Sequence, residues 1–285
     1  MNKITELFGI STYQSTQPTA WTEILNRQFC PYLERTCLKV RKSTPEVAIG
    51  TCSVLYHKER MPVVICPYRF LEKRKIFLDC LHLLTLHEPG NELHVVSEVP
   101  VPGGTVDYCL TSTRNGRARD FVALEVQTLD TTGTVWPERQ RLLSELGVIS
   151  DADDTGSAKS FGMNWKMTAK TTLIQLHHKI QTFENMSKRL VLVIQDHFLH
   201  YMQRQFRFDR LVDARIGDSM HIHAYELLQT NHGAFQLALR SRHSTDANGV
   251  AESLGLKASP RVELAEILRV LESKLSEQTL LEWAS

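Results

Sequence analysis

Two rhythms of apolar and polar residues run along the chain and mark out its elements. Between positions 93 and 128 the alternation has a period of two, so "LHVVSEV" (93–99), "TVDYCLTS" (105–112) and "DFVALEVQT" (120–128) read as strands, the last two joined by the basic turn "TRNGRAR". Elsewhere the spacing is helical. "TAWTEILNRQF" predicts a helix capped by Thr19, and further helices are expected over 136–146 and 163–186. In "YRFLEKRKIFLDCLHLLTLH" (68–87), Phe70, Ile76, Phe77, Cys80, Leu81, Leu83 and Leu84 form one helical stripe, which "EPGNE" ends. The apolar run "RLVLVIQD" (189–196) suits a strand buried on both faces in mid-sheet. "MHIHAYELLQ" and "AFQLALRSR" alternate as later strands would, and "RVELAEILRVLESKL" (261–275) is an amphipathic helix with Leu264, Ile267, Leu268, Leu271 and Leu275 on one side. Strands followed by helices and more strands predict an α/β core.

One strand carries an oddity. In "DFVALEVQTLD" (120–130), Leu124 and Val126 point to one face while Glu125 and Gln127 share the other, so a carboxylate sits in the middle of an otherwise apolar strand. The Gly103-Gly104 turn lies just upstream, and it places Asp107 on the neighbouring strand, alongside Glu125. Two carboxylates so close repel unless something positive stands between them, and a hard divalent cation would. An Asp near a turn followed eighteen positions later by Glu-x-Gln on an apolar strand resembles the PD-(D/E)XK nucleases, whose acids bind Mg²⁺ beside the scissile phosphate. A plainer reading leaves both acids on an exposed sheet face, paired with Arg117 or Arg119.

Composition narrows the setting. With 285 residues, 42% apolar and 23% charged, the chain can bury the core of one large or two small domains. No apolar run approaches the roughly 20 residues that span a bilayer, and the polar start "MNKITELFGISTYQSTQ" has no signal-peptide centre, so a cytoplasmic location is expected. The net charge of +1 hides a local bias: residues 159–215 hold ten Lys or Arg against four Asp or Glu, a surplus suited to a polyanion. Of six cysteines, Cys30, Cys37, Cys52 and Cys66 cluster early with the spacing C-x6-C-x14-C-x13-C. Four thiolates can close a tetrahedral site around zinc or iron, but the C-x2-C hairpins of a zinc ribbon are missing and four core thiols would explain the pattern as well.

Taken together, "CPYLERTCLKVRKS…GTCSV…ICPYRF", "GGTVDY…ALEVQT" and "NWKMTAKTTLIQLHHKI…KRLVLVIQD" are similar to the NotI-type restriction endonucleases over about residues 25–200. That resemblance implies a PD-(D/E)XK core, a central mixed sheet flanked by helices, preceded by a four-cysteine metal segment. It divides the chain into a helical and cysteine segment (1–88), a catalytic core (89–230) and a C-terminal strand and helix for packing or dimer contacts (231–285). It also implies a homodimeric type II enzyme that cuts double-stranded DNA at a palindromic site, leaving 5′-phosphate and 3′-hydroxyl ends. Asp107, Glu125 and Gln127 become the catalytic residues, the two acids holding Mg²⁺. Cys30, Cys37, Cys52 and Cys66 become ligands of Fe or Zn, with Cys80 and Cys109 left as core thiols. Other functions stay open: a nuclease of the same fold serving repair or phage defence without a palindrome, or a non-catalytic four-cysteine DNA-binding protein.

Gln127 stands where the superfamily usually has lysine, and an amide can hydrogen-bond but brings no charge. Lys166 and Lys170, spaced i,i+4 in "NWKMTAKTT", are the expected suppliers of that charge, or else a solvated face touching DNA phosphates. Arg41, Lys42, Arg204 and Arg207 are candidate DNA contacts. Glu98 is expected to face solvent rather than add a ligand, Asp196 to cap a helix, His177 and His178 to pack or to contact DNA, and His221 and His223, whose spacing is compatible with a metal, to be structural.

Overall fold

The computed structural model describes residues 3–14, 17–56, 61–149, 161–256, 268–270 and 272–273. In chain order the elements of the main layers are β1 (Ile4–Leu7), β2 (Ile10–Ser11), α1 (Pro18–Arg27), β3 (Thr51–Tyr56), β4 (Met61–Val64), β5 (Glu92–Val101), β6 (Gly104–Arg114), β7 (Arg117–Val126) and α2 (Trp136–Glu145). After these come α3 (Trp165–Asn185), β8 (Arg189–Gln195), α4 (Asp196–Gln205), β9 (Val212–Asp213), β10 (Met220–Gln229), β11 (Phe235–Thr245) and α5 (Ala247–Ser253).

The apolar run 190–194 forms the body of β8, which lies in the middle of a seven-stranded sheet, ordered β9-β11-β10-β8-β7-β6-β5. Strand β8 pairs parallel with both β7 and β10, and the other pairings are antiparallel, so the sheet is mixed. Parallel neighbours need crossovers, and α3 and α4 supply them while covering one face. On that face Ala123, Leu190, Leu192 and Ile222 pack against Ala169, Leu173, Leu176, Ile180, Phe183 and Phe198. The opposite face buries Val122, Leu124, Val191 and Val193 under Phe70, Ile76, Phe77 and Leu83. Both faces being covered is why β8 has no polar alternation.

A smaller sheet, ordered β2-β1-β3-β4, joins the same core through Ile4, Val54 and Val63. The β6–β7 turn is tight because Asn115 and Gly116 both take positive φ, +55° and +69°, as a two-residue hairpin needs.

Three expectations are corrected. The helix over 68–87 is replaced by a 3₁₀ stretch Pro67–Arg74, one α-turn Lys75–Leu78 and a 3₁₀ turn Leu81–Leu83. Lys73 and Arg74 have φ of +50° and +55°, which no helix tolerates. Buried polar groups outweigh the helical stripe here: Arg69, fully buried, donates to Glu6 at 2.9 Å and to Glu72 at 2.8 Å, and Glu72 in turn accepts the Leu237 N–H at 2.7 Å. The kink satisfies these groups while Phe70, Ile76, Phe77, Cys80, Leu83 and Leu84 are still buried as the stripe requires.

Thr19 lies inside α1 rather than capping it; Gln17 is the cap position and Pro18 sets the first turn. Asp196 is the first residue of α4, after the cap position at Gln195, and pairs with His200 at 3.3 Å. The helix expected over 261–275 lies largely outside the described residues.

Candidate active site

The β6–β7 ladder pairs Tyr108 with Leu124, and one step further along the same register Asp107 stands opposite Glu125. Strand β5 continues the row: Val99 pairs with Val106 and Ser97 with Tyr108, which puts Glu98 opposite Asp107. Three carboxylates from three adjacent strands therefore share one row of the sheet. Glu98 is exposed, as expected, but sits at φ +54°, an uncommon backbone for a residue other than glycine.

Glu125 and Asp107 are not paired with Arg117 or Arg119. The positive group is Lys179 of α3, a buried ammonium whose Nζ lies 2.6 Å from Glu125 Oε1 and donates at 2.6 Å to the Thr105 carbonyl. Asp107 Oδ2 accepts the Val126 N–H at 2.7 Å. Among the described residues, Glu125 Oε2 and Asp107 Oδ1 keep no hydrogen-bond partner.

The Gly103-Gly104 turn makes this approach possible. A Cβ on Gly103 would lie 2.3 Å from the His178 carbonyl oxygen, and one on Gly104 would lie 3.1 Å from Lys179 Cε. Helix α3 thus rests directly on the hairpin backbone, which carries Lys179 to the acids.

Burial pushes the Glu125 carboxyl up to about 7; Lys179 opposes that rise, and the charges of Asp107 and Glu98 add to it. Asp107 is also raised, first by burial and then by Glu98, against the Val126 N–H and Lys179. Two half-buried acids of raised proton affinity hold more negative charge than one lysine offsets, which is the electrostatic setting that draws a divalent cation. The Cys109 thiol, buried two positions along from Asp107, is pushed up to about 11 by burial and by Glu125, so it stays a neutral core thiol.

Gln127 follows β7. Its N–H bonds the Val193 carbonyl and its amide donates to the Thr128 carbonyl at 2.7 Å. With Glu125, Thr172 and Gln175 it lines a crevice of about 10 Å³, room for about one water. Lys166 and Lys170 are exposed on α3 and reach neither acid. Thr172, Leu176 and Lys179 share the helix face turned to the sheet; at 100° per residue Lys166 and Lys170 fall on the far side.

Cys30, Cys37, Cys52 and Cys66 are all buried, and they come from four separate stretches of the N-terminal region. They lie near enough to feel one another's charge. Burial pushes the Cys66 thiol up to about 11, with Lys39 pulling it down and Cys37 and Cys30 adding to the rise; Cys52 is raised by burial and then by Cys66. As placed, however, no three His, Cys, Asp or Glu side chains among the described residues form a group that could hold an ion.

The description of the family "Restriction endonuclease NotI" matches residues 26–234, a span that includes the thiols, the carboxylate row and the central strand β8. The chain belongs to the NotI restriction endonuclease family. No curated protein and no solved structure matches it. Membership makes the chain a type II restriction endonuclease, a hydrolase whose substrate is double-stranded DNA. No helix among the described residues is long and apolar enough to cross a membrane.

The basic residues expected to contact DNA in a NotI-family chain fall in different settings. Arg41 is half-buried and stacks on Trp136 at 4.6 Å, with Arg139 on the same ring at 4.5 Å. Lys42, Arg204 and Arg207 are exposed, and none of the three has an ion pair among the described residues. The buried His221 and His223 lie on the sheet face away from α3, where the Cys80 thiol is 3.7 Å from His223. Lys179 is the residue that sequence reasoning missed. Its signal was faint: "HHKI" puts a lysine in phase with the buried Leu176 and Ile180 of an otherwise apolar face.

Proposed function

We propose that this NotI-family chain is a PD-(D/E)XK nuclease that hydrolyses both strands of a palindromic DNA site as a homodimer, leaving 5′-phosphate and 3′-hydroxyl ends. The observation that carries this reading is the register that sets Asp107 opposite Glu125 under a buried ammonium. The donor set suits Mg²⁺, which binds through one or two carboxylates and takes its remaining ligands from water and substrate phosphate. When bound, the ion would neutralise the phosphate and make a water a better nucleophile.

The chain's own groups have separable parts. Asp107 Oδ1 and Glu125 Oε2 are the free oxygens that would hold the cation. Lys179 keeps Glu125 oriented and draws its carboxyl towards the ionised form against the burial that favours the proton. Gln127, in the crevice beside Glu125, can orient a water by hydrogen bonds only. Exposed Lys166 and Lys170 belong to the phosphate-binding surface. Water attacks phosphorus, the P–O3′ bond breaks, and the 3′ oxygen takes up the proton.

The four thiols offer the donor chemistry of an iron or zinc site that would staple the N-terminal segment to the core.

Incubation with Mg²⁺ and a long DNA of known sequence, followed by sequencing of the fragment ends, tests the reading. The expected result is double-strand breaks at one palindromic site, abolished in Glu125→Gln. Nicks at asymmetric sites would point to repair or defence, and tight DNA binding without cleavage in any metal would remove the catalytic role.

A further inference from the structure

A second cleft, of about 430 Å³, opens at the N-terminal end of α3, away from the carboxylates, and its walls include Tyr56, Trp165, His197, His200, Tyr201 and Arg204. That volume is in the range of small-molecule sites. Trp165 is the centre of an aromatic cluster, with ring centroids 6.0 Å from Tyr56, 5.4 Å from Tyr201 and 5.8 Å from His197. Phe198 backs the cluster from the core, while Tyr56, Trp165 and Tyr201 each keep part of their surface.

Two polar features distinguish the cleft from a packing defect. His197 Nε2 is sheltered from solvent yet has no hydrogen-bond partner, and burial keeps the ring neutral, so that nitrogen is a donor or an acceptor according to the tautomer. Arg204 at the wall has no ion pair among the described residues, and neither has Lys166 beside Trp165. Asp196, the residue before His197, is engaged by His200 at 3.3 Å.

Flat aromatic faces and a guanidinium without an ion pair among the described residues match two parts of one ligand, a π-face and a phosphate. We propose that this cleft binds a nucleobase together with its 5′-phosphate, the base against Trp165 and Tyr201 and the phosphate to Arg204. The inference rests on the nuclease reading only for the source of the base. Trp165 and Gln175, which lines the crevice at Glu125, are ten residues apart on one helix, about 15 Å. That is roughly four base-pair steps, so a base turned out of a duplex held at the carboxylates would be in range; a free nucleotide is the other source.

The test is calorimetric titration of the full chain in EDTA with each deoxynucleoside 5′-monophosphate, with deoxyribose 5-phosphate and inorganic phosphate as controls. At least one nucleotide should bind, the controls should not, and Tyr201→Ala should weaken binding by roughly tenfold or more. Arg204→Ala, at an exposed position that leaves the fold alone, should weaken it as well. Glu125→Gln should bind nucleotides like the parent protein, which separates this site from any failure of cleavage.

A series of duplexes with one mismatch stepped outward from the cut site then distinguishes the sources. Tighter binding at one position, lost in Tyr201→Ala, assigns the base to the duplex; uniform binding assigns the cleft to free nucleotide. If no nucleotide binds and no mismatch matters, if phosphate alone binds as tightly, or if both variants bind as the parent does, the proposal is wrong.

Discussion

Glu125 shows what a single position demands. Its place in an apolar strand already announced that something positive must face it, because an isolated buried charge costs several kcal/mol. The identity of that group depends on where α3 lands. Lys166, Lys170 and Lys179 all belong to that helix, and only the last faces the sheet. Lys179→Met should destabilise the fold by less than the roughly 3–5 kcal/mol of a broken buried pair, because Glu125 can escape by taking up a proton. The loss should grow as pH rises from 6 to 8, where that proton becomes scarcer, and should shrink in Lys179→Met/Glu125→Gln. Urea unfolding at the two pH values checks this. A loss that does not vary with pH would mean that Glu125 does not titrate in response to its partner.

At the scale of elements, the glycine pair explains how a helix can lie against a hairpin closely enough to deliver an amine. Gly103 (φ +94°) faces the His178 carbonyl, whereas Gly116 (φ +69°) has nothing within 4 Å of its missing Cβ. Gly103→Ala should cost clearly more than the roughly 1–2 kcal/mol of a positive φ alone, and should lower cleavage by displacing Lys179; Gly116→Ala should cost only that strain and leave cleavage intact. Thermal unfolding and a cleavage assay on the two variants test the comparison.

The strands β7 and β8 were legible because their apolar patterns agree with their burial, whereas β5 was legible by alternation alone, since at the sheet edge nearly all of its residues are exposed. The kinked segment 67–84 was not. Its apolar stripe is real, but the conformation is decided by Arg69 reaching Glu6, sixty-three positions away in sequence.

For the whole molecule, burial of neutral histidines sets the acid limit. His197 and His221 are pushed down to about 4 and His223 to about 3, in each case chiefly by burial; His223 is lowered further by Arg242. The unfolded chain binds these protons near pH 6.5 and the native state does not, so the stability they confer is complete above that pH and is lost as pH falls towards 4. The slope is at most about 1.4 kcal/mol per pH unit for each ring. Urea midpoints should fall steadily from pH 6.5 to 4.5, and His223→Leu should flatten the slope. The thiols make a separate prediction: elemental analysis should find one iron or zinc per chain, lost together with thermal stability in Cys52→Ser. Purified protein free of metal, with an unchanged melting temperature in the variant, would leave the four as core thiols.

By itself the amino-acid sequence determined the strand pattern, the central place of β8, the shared face of Asp107 and Glu125, and the family. These follow from local periodicity and from short runs of residues, which survive without knowing what packs where. Only the tertiary structure decided that Lys179 is the partner, that Glu98 joins the acidic row, that 67–84 bends, and that Trp165 and Arg204 border one cleft. Each of those depends on residues brought together from distant parts of the chain, and such pairings are set by how the layers dock rather than by any local pattern.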